Sequence, residues 1–281
     1  MPYSFTLKYL STTITFQSDN PSIIKFISFI FHHLRSDAPA ESKRIYTIEE
    51  ETTGKGYSLF QGKKVLFKNF QLDTAMENIE ISVESMVMAE NPGILFFHAG
   101  AVSDGLGKVT LFLAGSGDGK TTLCAILANE NFFLEGDELV GIHKEKMPVP
   151  VFFKKAPKLR RESLPFLKDR GKQLIIHGEK NKEAELIYWL PDEHDRPSPG
   201  YKKKIKRIFF IHFSPNKPNS ISMLSPSDTI KGLVNTCHNF SHKRKMAFDI
   251  IMSLADQAET FEITYNRPDF VVSCVKNSPA H

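Results

Sequence analysis

Residues 1–92 combine short strand patterns with two helical patterns. Asn20-Pro21 is a typical helix start, and the apolar positions from 23 to 34 then repeat at helical spacing, which predicts a helix with one buried face. The runs RIYTIEE, YSLFQ and KKVLFKN, separated by glycine turns, are predicted strands, and a second helix is predicted over 73–90. Because Asn91-Pro92-Gly93 would end that helix, we place a domain boundary there and predict a smaller α+β N-terminal domain over 1–92.

From residue 93 onward, apolar strand patterns alternate with helical patterns. ILFFHAGAV, a glycine turn and KVTLFLAG come first, and a glycine loop, the helical TTLCAILANE and the strand-like FFLEGDELVGI follow. Strands that alternate with helices are typical of an α/β domain, which we assign to 93–281. Within it, the proline-rich and charged segment 191–204 is predicted to be an exposed loop.

The composition fits a protein with a sizeable core and an anionic ligand. Hydrophobic residues make up 41% of the 281 residues, and the formal net charge of +4 suits a nucleotide but is too small to indicate nucleic-acid binding. The three cysteines have no metal-site or redox spacing, which favours a reducing compartment. The sequence shows no signal-peptide pattern and no apolar run of about 18 residues. We therefore expect a cytoplasmic protein that binds neither a membrane nor nucleic acid.

The sequence FLAGSGDGKTTL has the form of a phosphate-binding loop. It follows the pattern G-x-x-x-x-G-K-[ST], with Ala114 in the first position, a strand pattern before it and a helix pattern after it. Glycines allow successive N–H groups to point at phosphate oxygens, Lys120 would contact the β- and γ-phosphates of ATP, and the Thr121 hydroxyl would bind Mg²⁺. Asp118 is predicted to point to solvent or toward a cationic substrate group, because phosphates would repel it. The predicted nucleotide-binding residues are Gly115, Ser116, Gly117, Asp118, Gly119, Lys120, Thr121 and Thr122.

Two further features could carry chemistry next to this loop. Asp137-Glu138 lies seventeen residues after Lys120, at or near the end of a predicted strand. In a parallel arrangement that strand would lie beside the strand that leads into the loop. A carboxylate there can hold Mg²⁺ or accept the proton of an attacking hydroxyl, and the alternative is an ordinary acidic turn. His98 lies near the centre of ILFFHAGAV, where it is either a buried structural histidine or a ligand or catalytic group.

Three of these segments together resemble a known family. HAGAV, LAGSGDGKTTL and LEGDELVGI, in this order, are similar to the catalytic domain of the HPr kinase/phosphorylase family. They resemble still more closely the HPr-kinase-like peptide kinases, which include those encoded beside lasso-peptide genes. The resemblance extends over roughly residues 93 to 270 and is strongest in its first third. It implies a P-loop kinase domain of the type shared with phosphoenolpyruvate carboxykinase.

The resemblance also implies roles for individual residues. Asp137 would be the general base that deprotonates the substrate hydroxyl, Glu138 its neighbour near Mg²⁺, and His98 a further active-site group. The catalytic residues are then Asp137, Lys120, His98 and Glu138, and the metal ligands are Thr121 and Glu138. Glu138 stands where the HPr kinases have aspartate, and the glycine- and arginine-bearing segment that follows in that family is not recognisable here. Both differences weigh against HPr itself as the substrate.

The leading functional hypothesis is an ATP-dependent kinase that phosphorylates a serine or threonine hydroxyl of a peptide or small protein, such as a lasso precursor peptide. The resemblance implies that Lys154 or Lys155 would add positive charge beside the transferred group. The N-terminal domain or segment 191–204 would recognise the substrate. A small-molecule hydroxyl kinase of the same fold and a nucleotide-dependent switch without transfer are the alternatives. A GTPase is disfavoured because the sequence has no N-K-x-D motif. The resemblance leaves homo-oligomerisation open.

Overall fold

The chain is a mixed α/β protein with several β-sheets, and it divides into two compact units. The computed structural model describes residues 2–38, 44–51, 56–115, 117–145, 147–167, 171–177, 185–191 and 202–277. The first unit contains Met1–Pro92, Lys154–Glu162 and Lys172–Leu190, and the second contains Gly93–Phe153, Ser163–Gly171 and Pro191–His281. Two segments that the sequence analysis assigned to the second domain, 154–162 and 172–190, therefore belong to the first unit. No helix in the described part of the chain is long and apolar enough to cross a membrane.

The secondary structure alternates strands and helices in both units. The strands are β1 (Tyr3–Tyr9), β2 (Thr12–Ser18), β3 (Ile45–Glu50), β4 (Tyr57–Gln61), β5 (Lys64–Phe70), β6 (Ile94–Phe97), β7 (Ala99–Ser103), β8 (Lys108–Leu113), β9 (Phe133–Gly136), β10 (Val140–His143), β11 (Val149–Phe152), β12 (Lys158–Leu159), β13 (Lys172–His177), β14 (Glu185–Leu190), β15 (Lys204–Phe213), β16 (Ser220–Met223) and β17 (Glu259–Tyr265). The α-helices are α1 (Pro21–Ile30), α2 (Leu72–Glu90), α3 (Lys120–Ala128), α4 (Pro226–Thr236), α5 (Arg244–Gln257) and α6 (Pro268–Asn277). Most of the predicted loop 191–204 lies outside the described residues.

The first unit is built on a five-stranded sheet in the order β1-β2-β3-β4-β5. β2 and β3 are parallel, and the other neighbouring strands are antiparallel. Helix α1 packs on β1 and β2, and it begins after Asn20, whose side chain accepts a hydrogen bond from the Ser22 N–H at 2.9 Å. Ile23, Ile27 and Ile30 of the predicted face are buried and Phe26 is half-buried, but α1 ends at Ile30, before the last predicted position, Leu34. Strands β12, β14 and β13 form a separate antiparallel sheet of this unit.

A buried ion network in the first unit involves one of the two lysines that were expected to serve the phosphoryl group. The Lys155 ammonium pairs with Glu80, and with Glu84 at 2.9 Å, and the Tyr188 hydroxyl donates to the other oxygen of Glu80. Burial alone would lower the pKa of Lys155, but the two carboxylates outweigh it and hold that pKa above its ordinary value. The charge of Lys155 is therefore neutralised inside this unit, contrary to the assignment of this residue to the transferred group.

The second unit is built on a six-stranded sheet in the order β16-β17-β15-β8-β7-β9. β8, β15 and β17 are parallel to one another, whereas β7 is antiparallel to both β8 and β9. β9 thus runs in the same direction as β8, but β7 lies between them, and the expected direct neighbourhood of these two strands is wrong. Helix α3 packs on β7 and β9.

Both long apolar runs of the second unit change sheets at polar residues. ILFFHAGAV forms β6 and β7 with a bend at His98, and FFLEGDELVGI forms β9 and β10 with a bend at Asp137 and Glu138. β7 pairs with β9 in the six-stranded sheet, while β6 pairs with β10 in a second sheet of order β11-β10-β6. Glu138 has a φ of 70°, in the left-handed region that sharp turns use. Each run was expected to form one strand. Instead the two runs pair with each other twice, as β7 with β9 in the six-stranded sheet and as β6 with β10 in the second sheet. The polar residues of both runs therefore lie together at the bends.

Candidate functional site

The loop between β8 and α3 has a backbone that requires glycine at two positions. β8 ends at Leu113 and α3 begins at Lys120, so the strand and the helix predicted around the loop are both present. Gly117 (φ 92°) and Gly119 (φ 83°) lie in the left-handed region, which residues with a Cβ rarely adopt. A Cβ on Gly119 would also collide with the Tyr265 hydroxyl. The first N–H groups of α3, which have no partners within the helix, are thereby available at the loop.

Asp118 braces this loop and does not point away from it. Its carboxylate accepts hydrogen bonds from the Gly115 N–H at 3.1 Å and from the Phe213 N–H at 3.2 Å. The Tyr265 hydroxyl donates to the Asp118 carbonyl oxygen at 2.6 Å. The expectation of a solvent-directed or substrate-directed carboxylate is therefore wrong, because backbone donors of the loop and of β15 hold it. Ser116, the other polar residue of the predicted loop, lies outside the described residues.

Lys120 is buried and is held by a chain of hydrogen bonds. Its ammonium lies 2.9 Å from His98 Nε2, 3.3 Å from the Ala114 carbonyl oxygen and 3.4 Å from the Gly115 carbonyl oxygen. On the other side of the imidazole, His98 Nδ1 lies 3.0 Å from Glu138 Oε2. An ammonium can only donate, so Nε2 is the acceptor, and Nδ1 carries the proton that is donated to Glu138. The lysine, histidine and glutamate predicted to share a site therefore form one connected chain.

Thr121 and Asp137 form a second pair beside the first. The Thr121 hydroxyl donates to the Asp137 carboxylate at 3.0 and 3.2 Å, and only 1% of Asp137 is exposed. Mg²⁺ binds oxygens at about 2.0–2.1 Å in an octahedron whose neighbouring corners are about 3 Å apart, so this spacing fits two adjacent ligands. No cluster of three or more acidic, histidine or cysteine side chains that could hold a metal is found among the described residues. The protein would thus supply this pair and leave the other positions to water and phosphate, whereas Glu138, expected as the ligand, contacts His98.

Gly100 on β7 allows these groups to come together, and the sequence analysis missed it. A Cβ at this position would lie 2.6 Å from Cys124 Sγ on α3, and 3.7 Å from both Lys120 Cβ and Asp137 Oδ1. Helix α3 can therefore approach β7 only because this residue has no side chain. Burial raises the pKa of the Cys124 thiol, which makes it an uncharged packing group. The available signal was a glycine in the middle of an apolar strand pattern, which often marks a close approach.

The segment after α4 contributes a histidine that the sequence analysis also missed. The Thr236 carbonyl oxygen accepts a hydrogen bond from the His98 N–H at 2.9 Å, and the His238 N–H donates to the Phe96 carbonyl oxygen at 2.9 Å. These bonds place the His238 ring 5.6 Å from the His98 ring, edge to face. Partial loss of water around the ring and the neighbouring His98 lower the pKa of His238. Nothing in the local pattern of NTCHNF indicates this pairing with β6.

An open cavity of about 500 Å³ lies next to the loop. Its described lining residues are His98, Ala114, Gly115, Asn235, Thr236, Cys237 and His238. Thr122, predicted to contact the nucleotide, directs its hydroxyl to the Ser163 hydroxyl, 2.7 Å away. The structure therefore brings together Lys120, Thr121, His98 and the acidic pair, and it engages the Thr122 side chain elsewhere.

Comparison with known proteins does not assign the chain to a family. No protein-family model matches the chain, and no curated protein matches its sequence. The function must therefore be inferred from the residues of the site.

Proposed function

We propose that the chain is an ATP-dependent kinase that transfers the γ-phosphoryl group to a serine or threonine hydroxyl of a peptide or small protein. One observation carries the proposal: the hydroxyl that follows the loop lysine, Thr121, lies 3.0 Å from a buried carboxylate, Asp137, that arrives from a different strand. A glycine turn that merely precedes a lysine would not need such a partner. A phosphate loop, a metal-binding hydroxyl and a carboxylate are the parts that phosphoryl transfer requires.

The proposed phosphate site is built from backbone donors and one ammonium. The N–H groups of the loop and the N-terminus of α3, a helix of nine residues, would bind the phosphate oxygens. Lys120 would keep its hydrogen bond to His98, which Glu138 orients, and would exchange its longer bonds to the Ala114 and Gly115 carbonyl oxygens for bonds to the β- and γ-phosphates. Thr121 and Asp137 would hold Mg²⁺, which when bound supplies positive charge to the phosphates.

Asp137 is also proposed as the proton acceptor, as the family resemblance implies: one oxygen of its carboxylate would bind Mg²⁺ and the other would accept the proton. The oxygen of the acceptor hydroxyl forms a bond to the γ-phosphorus, the bond from that phosphorus to the bridging oxygen of ATP breaks, and ADP leaves. The hydroxyl proton passes to the Asp137 carboxylate. Positioning and charge neutralisation account for most of the acceleration in such reactions, so a few well-placed groups suffice.

The parallel strands on one side of the loop support the finer assignment of the fold. β8, β15 and β17 run parallel, and the phosphate loop follows β8 at their carboxyl edge, where open α/β sheets bind their ligands. The second unit would thus be a P-loop kinase domain of the HPr kinase type. A cytoplasmic location, where ATP and Mg²⁺ are abundant, belongs to the same proposal.

A transfer assay with γ-labelled ATP and Mg²⁺ tests the proposal. One pool offers serine and threonine peptides and a second offers small hydroxyl metabolites, with labelled products identified by intact mass. Label on a peptide, lost in Asp137→Asn and in Lys120→Ala but kept in the exposed control variants Asp256→Asn and Lys245→Ala, is the expected result. Label on metabolites alone would indicate a small-molecule kinase. Bound ATP without label in either pool would indicate a switch.

A further inference from the structure

The cavity beside the loop has one wall that the proposed phosphate chemistry does not use. Its lining combines Ala114, Gly115 and His98 with a wall formed by residues 235–238. Its volume of about 500 Å³ lies within the range of about 300–1,000 Å³ that is usual for small-molecule sites. The cavity therefore offers room for a second reactant next to the bound phosphates.

The wall formed by residues 235–238 is held rigidly against β6. Besides the two backbone hydrogen bonds at Thr236 and His238, the buried Asn239 side chain accepts from the Phe96 N–H at 3.0 Å and donates to the Ile94 carbonyl oxygen at 2.9 Å. Four hydrogen bonds thus fix a segment that would otherwise be a loop after a helix. Groups held in this way bind a ligand without first having to be ordered.

The described side chains that line the cavity carry no fixed charge, and most of the surface they expose is apolar. Its described residues provide two imidazoles, an amide, a hydroxyl and a thiol, and none of them is a lysine, arginine, aspartate or glutamate. Burial raises the pKa of the Cys237 thiol to about 11, so it is uncharged near neutral pH. Glu138, bonded to His98, adds negative charge at the edge of the cavity. Lys120 contacts this lining but is committed to the phosphates in the proposed reaction, so an anionic acceptor group would lose its water here without a cationic partner of its own. A hydroxyl would keep its hydrogen bonds.

His238 is the imidazole in this lining that can bind a ligand. Both nitrogens of His98 are engaged, Nε2 with Lys120 and Nδ1 with Glu138. Among the described residues, the His238 side chain makes the ring contact with His98 and no hydrogen bond. Its lowered pKa keeps the ring neutral near pH 7, so one nitrogen can accept a hydrogen bond.

We propose that this cavity is the acceptor site, that it selects an uncharged, hydroxyl-bearing acceptor, and that His238 binds the acceptor hydroxyl. This inference rests on the proposed kinase function. His238 contacts the substrate and orients its hydroxyl, while Asp137 keeps the role of proton acceptor.

The test measures KM for the acceptor and KM for ATP separately. The probes are synthetic serine peptides that differ only beside the serine, with alanine, aspartate or phosphoserine at that position. For His238→Ala we expect KM for the alanine peptide to rise at least tenfold, with KM for ATP unchanged within twofold. His238→Gln, which keeps a hydrogen-bonding group, should recover part of the loss, and the exposed His242→Ala should behave like the wild type.

The outcomes separate this inference from the proposed function. Failure of the wild type to phosphorylate any peptide overturns both. Transfer by the wild type together with an unchanged acceptor KM in His238→Ala overturns only the acceptor site. A parallel rise of both KM values would show that His238 supports the phosphate loop and not the acceptor. A higher kcat/KM for the aspartate or phosphoserine peptide than for the alanine peptide would overturn the uncharged class of acceptor.

Discussion

Replacement of Gly100 by alanine should force α3 away from β7 and damage both stability and the site. The added Cβ would lie 2.6 Å from Cys124 Sγ, whereas ordinary contact begins near 3.4 Å. Cys124 is fully buried, so its side chain has little room to rotate away. The helix and the strand must then separate by about 1 Å in an interior that is packed like a crystal.

The size of the effect follows from two opposing contributions. Extra volume in a packed core costs about 1–3 kcal/mol, and replacement of glycine by alanine stabilises by about 0.4–1 kcal/mol through the unfolded chain. We therefore expect a net loss of about 1–2 kcal/mol in the free energy of unfolding. Cys124→Ala alone should cost about 1 kcal/mol, since it removes one buried sulfur atom. In the double variant the new methyl group fills the space of the sulfur, and the two losses should not add.

Urea unfolding followed by far-UV circular dichroism measures this coupling. The double variant should be more stable than the sum of the single losses predicts, by about 1–2 kcal/mol. Gly105→Ala is the matched control, because a Cβ there would meet no atom within 4 Å. This variant should have an unchanged or slightly higher free energy of unfolding. Because the Gly100 Cβ would also lie 3.7 Å from Lys120 Cβ and from Asp137 Oδ1, ATP binding should weaken in Gly100→Ala and recover in the double variant. Losses that add within about 0.5 kcal/mol would refute the view that Gly100 sets the spacing of α3.

Three further predictions concern other parts of the molecule. Lys155→Met leaves the buried Glu80 and the partly buried Glu84 without their cation, so the free energy of unfolding should fall by about 3–5 kcal/mol. Urea titration of Trp189 fluorescence measures this loss, and a loss below about 1 kcal/mol would contradict the network. Tyr265→Phe removes the hydrogen bond to the Asp118 carbonyl oxygen, which should cost about 1–2 kcal/mol and weaken ATP binding, as thermal unfolding with and without Mg-ATP will show. The pKa of His238 is lowered in the folded protein, so its contribution to stability is complete above its ordinary value of 6.5 and is lost as the pH falls below that value. Between about pH 7.5 and about pH 5.5 the wild type should therefore lose more stability than His238→Ala, and equal losses would contradict the shift.

The phosphate loop could be predicted from the sequence because its requirements are local. Gly117 and Gly119 have positive φ angles that follow from the shape of the loop itself, and Lys120 begins the helix that the next ten residues favour. The same holds for α1, where Asn20 and Pro21 start the helix and its apolar spacing buries one face. Patterns of this kind involve residues within a few positions of one another, so one sequence contains all the information they need.

The bends at His98 and at Asp137-Glu138 could not be predicted in this way. Each apolar run, taken alone, satisfies the requirements of one long strand. The same two segments pair with each other in two different sheets, and both segments pass from one sheet to the other at their polar residues. Asp118 is a similar case, since its partner in β15 lies 95 residues away. Tertiary contacts decide these positions, and local patterns do not record them.

Polar residues inside apolar strand patterns are nevertheless informative once the bends are known. A strand buried on both faces cannot hold His98 or Asp137 unless a partner satisfies each polar group. At the bend these residues lie outside the strands, and the polar side chains of one run contact those of the other. His238 joins this group of polar residues from a distant part of the sequence. Its segment is held by the side chain of Asn239, which accepts a hydrogen bond from a strand residue 143 positions earlier. A histidine or an acidic pair that interrupts an apolar run close to a phosphate loop should therefore be examined first as a point where strands change sheets, since such a point can assemble a site from residues that no single segment contains.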